Sequence, residues 1–382
     1  MSLLSLLWTY RGSLTTKNCR GNLPEMTSFC NRSNITTPIQ MNEPNGLTIF
    51  LTGIQIAIGI FGVVGNAIVC LTIIRKPHVL GATNQHVFSL AIADLGVLLF
   101  NLPIAILKAH YPFKWVLGEA ICLYLAPATE TFFGAAIFSI TLISFERYVN
   151  IAHKVIRTHR VRSRTRRRLI LLAAWVASFI LTSFPPYMFQ TYDSCHEICS
   201  FTWSPTVFMI FMIALNVLLY FLPLAVITFS SVMIAKVVSK RTDLILREES
   251  TSCTTTSVHE RQEQSLSLKT MLRQKKKTYR ILKPLVILFA VTMFPATVFR
   301  LMLIFWKEFP SQNYYEIVLA LVIILAVVNS AADPLVYCIV NRTFRQEVKR
   351  ILPNNLLTKV NRAFGKSDQF TDITCKEHVH LK

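Results

Sequence analysis

The sequence predicts an all-α membrane protein, a seven-transmembrane helix bundle followed by a short amphipathic eighth helix. Three observations carry this. The chain of 382 residues is 52% hydrophobic and only 16% charged, a composition poorly matched to the water-facing surface of a soluble protein of two or three domains. Its apolar residues gather into seven runs, each about 20 residues or more, the length a helix needs to cross ~30 Å of hydrocarbon. Its excess charge, 40 Lys+Arg against 20 Asp+Glu for a net +20, sits in alternate connections between those runs.

The runs are Ile49 to Ile74, His86 to Leu107, Ala120 to Ile151, Leu169 to Gln190, Pro205 to Val238, Tyr279 to Trp306 and Tyr314 to Val340. Lipid offers no hydrogen-bond partner to an open backbone, so each must be a helix, and the alternation of a membrane barrel is not seen. The connection after the first run holds Arg75, Lys76 and His78, and that after the third holds eight basic residues from Lys154 to Arg168 with no acid among them. Lys240, Arg241, Arg247, Lys269, Arg273, Lys275, Lys276 and Lys277 follow the fifth run, and Arg342, Arg345, Lys349 and Arg350 follow the last. The opposite loops are nearly neutral. The positive-inside rule then puts the N-terminus outside and the C-terminus in the cytoplasm, as in a multi-pass plasma-membrane protein. The +20 charge is an orientation signal and a basic collar facing anionic lipid, and no nucleic acid is implied.

This divides the chain into an extracellular segment 1–48, a membrane domain 49–340 and a cytoplasmic helix and tail 341–382. Asn31-Arg32-Ser33 and Asn34-Ile35-Thr36 are glycosylation sequons in the outer segment, whereas Asn341-Arg342-Thr343 falls on the cytoplasmic side. Cys122 at the outer end of the third run, Cys195 and Cys199 in the outer loop after the fourth, and Cys19 and Cys30 lie where disulfides persist. A bridge from Cys122 to Cys199 or Cys195 lays that loop over the mouth of the bundle. With five outer cysteines, either one thiol is left over or one side assignment shifts. Cys70 and Cys338, within apolar runs, read as packing residues.

Polar residues inside the runs are costly and therefore informative. Asn66, Asp94, Asn329, Ser330 and Asp333 fall at similar depth. Such a cluster holds either water and a small cation or a closed hydrogen-bond network, because two carboxylates in low dielectric need a cation or a proton between them. Glu146-Arg147-Tyr148 ends the third run, roughly 37 Å from Cys122 at ~1.5 Å per residue, so one helix joins the two faces of the membrane. Pro103, Pro185, Pro186, Pro223, Pro284, Pro295 and Pro334 punctuate the runs. Proline removes a backbone donor and kinks a helix, supplying the hinges a moving bundle needs. Beyond the last run, Phe344, Val348, Ile351 and Leu352 recur at helical spacing between basic residues, the pattern of an amphipathic helix on the inner leaflet.

Together these residues resemble the rhodopsin-like (class A) G-protein-coupled receptors over about Ile49 to Leu352. The resemblance is carried by Gly65-Asn66 with Val69, Leu90 and Asp94, Trp115, Cys122, Glu146-Arg147-Tyr148, Trp175, Pro223, Phe289 and Pro295, then Asn329, Asp333-Pro334 and Tyr337, in the family's order and spacing. It implies a receptor rather than an enzyme, one that an extracellular ligand shifts toward a state with helix six swung outward about Pro295. Arg147 then meets a heterotrimeric G protein, Tyr337 supports Arg147, and Asp94, Asn329, Ser330 and Asp333 form the pocket for an allosteric sodium ion. No other cofactor is implied. The Ser250 to Ser257 stretch of the third cytoplasmic loop reads as a receptor-kinase and arrestin site or as a polar linker.

Departures from the family carry their own expectations. Met293 stands where the family usually has tryptophan, Ser231 where a tyrosine reaches toward the arginine, Ala136 where a serine lines the sodium pocket, and Lys275 near a position some members give to a locking glutamate. Appreciable ligand-independent signalling follows. Thr129 occupies the place of the aspartate of amine receptors, and the last run has no lysine for retinal. Peptide, nucleoside and lipid ligands remain, and Pro103, Trp115 and the glycosylated outer segment resemble neuropeptide and other peptide receptors most. Thr129, Glu130, Phe132, Phe133, Met293 and Phe294 line the pocket or face neighbouring helices. A cation channel or transporter would also use Asp94 and Asp333, but no inverted repeat is present and Arg147 would have no role. No metal-ligand or hydrolase motif appears in the runs.

Overall fold

The computed structural model describes residues 46–76, 84–111, 114–152, 160–251, 284–306, 308–340 and 342–351. Seven helices are long and apolar enough to cross a membrane: α1 (Gly46–Arg75), α2 (Asn84–His110), α3 (Gly118–Val149), α4 (Thr165–Phe189), α5 (Pro205–Val237), α6 (Pro284–Phe305) and α7 (Tyr315–Cys338). Each coincides with one apolar run of the sequence. The short helix α8 (Arg342–Ile351) follows and packs against α7 and α1. A two-stranded antiparallel hairpin, β1 (Gln190–Asp193) and β2 (Ile198–Phe201), joins α4 to α5.

Four of the helices contain a π-helical turn: Val97–Asn101 in α2, Ile121–Leu125 in α3, Phe179–Ser183 in α4 and Val217–Phe221 in α5. Each lies just ahead of a proline, Pro103, Pro127, Pro185 and Pro223 respectively. The cause is local: a proline ring collides with the carbonyl of the residue four positions earlier and supplies no N–H to it. Widening that turn removes the collision and re-aims the side chains around it. Pro334 sits inside regular α-helix instead.

The interior is stitched by small and polar residues. α1 runs along α7, with Gly62 against Ala331 and Gly65 against Pro334. Asn66 Nδ2 donates to the Gly62 and Ser330 carbonyls at 3.0 Å each, and Gln55 Nε2 to the Ala320 carbonyl at 3.1 Å. Helix α3 is central, packing against α2, α4 and α5. Trp175 Nε1 donates to Ser89 Oγ at 2.9 Å, and Ser89 lies 3.2 Å from Ser139 Oγ, tying α4, α2 and α3 together. Interhelical polar bonds of this sort are the main directional glue where lipid removes any hydrophobic drive between helices.

Candidate functional site

The residues that the sequence singles out lie in four layers along α3. At the outer end, Cys122 is disulfide-bonded to Cys199, which settles the pairing that the spacing left open. The bond pins the hairpin across the end of α3, and Gln190 Nε2 adds a hydrogen bond to the Cys122 carbonyl at 2.7 Å. Cys195 is also disulfide-bonded, so it is not left over as a thiol. The turn is held separately. Asp193 takes His196 Nδ1 at 2.7 Å and the Cys195 backbone N–H at 2.9 Å, and the His196 bond in the first place holds its carboxyl below the usual aspartate range. Glu197, at φ 52°, accepts the Trp115 backbone N–H through its carbonyl at 2.6 Å and pairs its side chain with Lys114. That pairing raises the pKa of the exposed Lys114 ammonium.

Below the hairpin, a buried polar group lies in the outer half of the bundle. Thr129, Glu130, Phe133 and Met293 are all buried. The Thr129 hydroxyl is satisfied within its own helix by the Ala126 carbonyl at 2.9 Å. Phe294 departs from the sequence expectation: it shares an exposed stripe with Ile287 and Val291 on the outside of α6 and does not join the others. Four further residues of this group were not among the site candidates of the sequence, where Lys108 and Arg300 counted only as outer-loop charges. Arg300 of α6 is buried, its guanidinium 5.8 Å above the Phe133 ring and its Nη1 donating to Asn216 Oδ1 of α5 at 3.3 Å. Lys108 of α2 is buried with its ammonium 5.1 Å from the Trp115 ring. Asn101, in the π-turn of α2, is buried as well. A charge inside an apolar run was the available signal for Arg300.

At mid-membrane the structure brings Asn66, Asp94, Asn329, Ser330 and Asp333 together as the common depth implied. Asp94 lies against Asp333 and Ser330, and Thr292 of α6 donates to Asn329 Oδ1 at 3.1 Å. Asp94 and Asp333 are buried, and among the described residues none of their four carboxylate oxygens has a hydrogen-bond partner of good geometry. Buried carboxylates left this way are costly, so the chemistry of the cluster fits a cation, water or a shared proton. Among the described residues, no group of three or more His, Cys, Asp or Glu converges as a metal site would require.

At the inner end, Glu146 Oε2 lies 3.2 Å from His86 Nε2 of α2 and Oε1 lies 3.6 Å from Arg167 Nη1 of α4. Neither partner stood out in the sequence: His86 was the first residue of a run and Arg167 one of eight basic residues. Tyr148 packs edge-on against Phe229 of α5, ring centroids 5.7 Å apart. Tyr337 is buried against Phe344 of α8, centroids 6.4 Å apart, and its hydroxyl makes no hydrogen bond. The Ser231 hydroxyl makes none either, so α5 has no side-chain hydroxyl joined to Arg147 at this position. Pro295 lies in α6, two residues beyond Met293 and three beyond Thr292. Asn31, Asn34, Lys275 and the residues from Ser252 to Ser257 lie outside the described residues.

Residues 65–337 match the 7 transmembrane receptor (rhodopsin family) as a sequence family. Among curated relatives, the chain is 26% identical to neuromedin-U receptor 2 of Rattus norvegicus over 302 residues, 76% of this chain and 72% of that protein. It is 28% identical to neuromedin-U receptor 1 of the same species over 306 residues, 77% and 71% of the two chains. With the neurotensin receptor type 1 of Rattus norvegicus it shares 27% identity over 361 residues, 87% of this chain and 82% of that one. With seven membrane-crossing helices, a tethered outer hairpin and Glu146-Arg147-Tyr148 at the inner end of the central helix, the chain belongs to the rhodopsin family of seven-transmembrane receptors, the G-protein-coupled receptors, and is not an enzyme.

Proposed function

We propose that the protein is a plasma-membrane receptor, N-terminus outside, that binds an extracellular peptide and activates a heterotrimeric G protein. One observation carries this: α3 is disulfide-tethered to the outer hairpin at one end and carries Arg147 at the other, so a ligand seated under the hairpin and a partner below share one rigid element. The neuromedin-U and neurotensin receptors among the relatives support a peptide as the ligand class.

In this reading the ligand binds among Thr129, Glu130, Phe133 and Met293, and its differential affinity for the two states moves α6 outward about Pro295. Glu146 leaves His86 and Arg167 or exchanges them, Tyr148 keeps α5 in register, and Arg147 meets the G protein with Tyr337 turned in behind it. Asp94, Asn329, Ser330 and Asp333, with Pro334 shaping the helix beside them, would hold a sodium ion that favours the resting state; Ala136 supplies no hydroxyl to it. Ser231 and Met293 weaken two restraints on α6 and support measurable basal signalling. The Ser250 to Ser257 stretch would serve a receptor kinase and then arrestin, and α8 would rest on anionic inner-leaflet lipid through Arg345, Lys349 and Arg350.

The test is the full chain in cells with a promiscuous G-protein reporter and a peptide library. Active peptides should raise the reporter, and Arg147→Ala should remove most of the stimulated signal at matched surface level. A stimulated signal unchanged by Arg147→Ala would sink the coupling role.

A further inference from the structure

The strongest unassigned feature is His86, at the inner end of α2. It is buried to 2% exposure, and the polar atoms of a side chain buried for packing are ordinarily all hydrogen-bonded. Here Nδ1 has no hydrogen-bond partner among the described residues, and Nε2 lies 3.2 Å from Glu146 Oε2. Oε1 of the same carboxylate lies 3.6 Å from Arg167 Nη1. Glu146 therefore joins the inner ends of α2, α3 and α4, through two contacts longer than a tight charge-assisted hydrogen bond of about 2.8 Å. Arg147, the next residue, lies within electrostatic reach of that carboxylate.

Helix α2 packs against α1, α3, α4 and α7. From α3 the imidazole meets Glu146, followed by Arg147, and from α4 it meets Arg167 across the carboxylate. The inner end of α1 carries Arg75, which is exposed, and α7 carries the buried Tyr337 and half-buried Cys338. Among the described residues, Glu146 is the one carboxylate within 4.0 Å of the imidazole. Asp94, the next acid along α2, is eight residues deeper, about 12 Å at ~1.5 Å per residue. Arg147 and Arg167 oppose a further positive charge here. The imidazole is nevertheless nearer to Glu146 than Arg167 is, 3.2 against 3.6 Å, so the carboxylate dominates at His86.

The same structure packs Tyr337 on Phe344 of α8, the place it leaves when it turns in behind Arg147. The His86 and Glu146 contact thus accompanies the resting position of Tyr337. Histidine is the side chain whose charge changes between about pH 5 and 8, and an imidazole binds a proton more tightly in a state where it faces a carboxylate, so acid favours that state. Resting on the G-protein-coupling reading, we infer that His86 is a positioning residue for Glu146: it holds that carboxylate to α2 in the resting receptor, and its protonation tightens the hold, so that an acid cytosol lowers coupling.

The full chain in cells with a promiscuous G-protein reporter tests this. Cytosolic pH is set from about 7.5 to about 6.5 with a permeant weak base or acid, at constant external pH, so that His110 and His196 at the opposite end of the bundle see no change. The readout is the part of the signal that Arg147→Ala removes, in wild type divided by that in His86→Gln at matched surface level. This ratio cancels the pH dependence of the reporter and of other cytoplasmic groups, and a merely structural role for His86 would leave it constant. It falls on acidification by more than about twofold and less than about tenfold, the limit for one proton over one pH unit. Should His86→Gln fail to reach the surface, Glu146→Gln takes its place in the ratio, since it removes the charge through which His86 acts. A ratio that stays constant, or rises as the cytosol acidifies, overturns this inference and leaves the coupling reading standing. No Arg147-dependent signal at any pH, with the peptide library present, removes both.

Discussion

Position 96 has no room for a side chain, and the consequence is measurable. A Cβ built on Gly96 would come within 2.2 Å of two Phe132 ring atoms. Phe132 is itself held between the Phe100 and Trp175 rings, each 5.9 Å away by centroid. The ring cannot retreat without disturbing both, so Gly96→Ala should cost about 1–3 kcal/mol as overpacking, seen as a lowered thermal midpoint of the purified receptor in detergent. An unchanged midpoint would show that the α2–α3 contact yields. Gly134 meets Ser178 Oγ at 2.2 Å, but that hydroxyl is the far end of a small side chain, bonded at 2.7 Å to the Thr131 carbonyl. Gly134→Ala should therefore cost less than Gly96→Ala on the same measurement, mainly through one hydrogen bond, about 1 kcal/mol. Neither ranking can be read from the sequence, where both glycines are single small residues in apolar runs. Residue chemistry was legible in other cases. The depth of Asn66, Asp94, Ser330 and Asp333 followed from counting, because helices of fixed rise place residues at fixed height.

At the scale of elements, proline position explains more of the helix geometry than apolar pattern does. The π-turns ahead of Pro103, Pro127, Pro185 and Pro223 follow from one steric rule, and the sequence displays every residue the rule needs. Which helices widen is less local: Pro295 and Pro334 sit in regular α-helix with no π-turn ahead of them, and Gly65 of α1 lies against the Pro334 ring. The hairpin behaves as a separate element, clamped by one bond to α3. Cys122→Ala and Cys199→Ala remove the same disulfide, which spans 77 residues of chain. Each should lower stability by about 2–4 kcal/mol and depress peptide response, and the double variant should be no worse than either single. A double variant clearly worse than both would mean that each cysteine has a further role. Cys195→Ala, acting on a different bond, should add to the effect.

For the whole molecule, the charge pattern supports one orientation in the membrane. The proposed orientation rests on the alternation of basic and neutral connections, and a glycan would report it. Peptide N-glycosidase should shift the full-length protein to lower apparent mass, and Asn31→Gln with Asn34→Gln should abolish the shift. A shift that survives this pair and vanishes with Asn341→Gln would invert the orientation. By itself the sequence determined the seven helices, their limits to within a few residues, the expected sidedness and the residues that mark the family, since each depends on composition, spacing or the thickness of a bilayer. Only the tertiary structure decided who meets whom. It chose Cys199 for Cys122, set His86 and Arg167 on Glu146, joined Arg300 to Asn216, and turned Phe294 outward while Met293 faced in. Those outcomes depend on the rotation of each helix about its own axis, which proline-widened turns shift partway along, and a one-dimensional pattern in a chain apolar on nearly every face carries little record of that rotation.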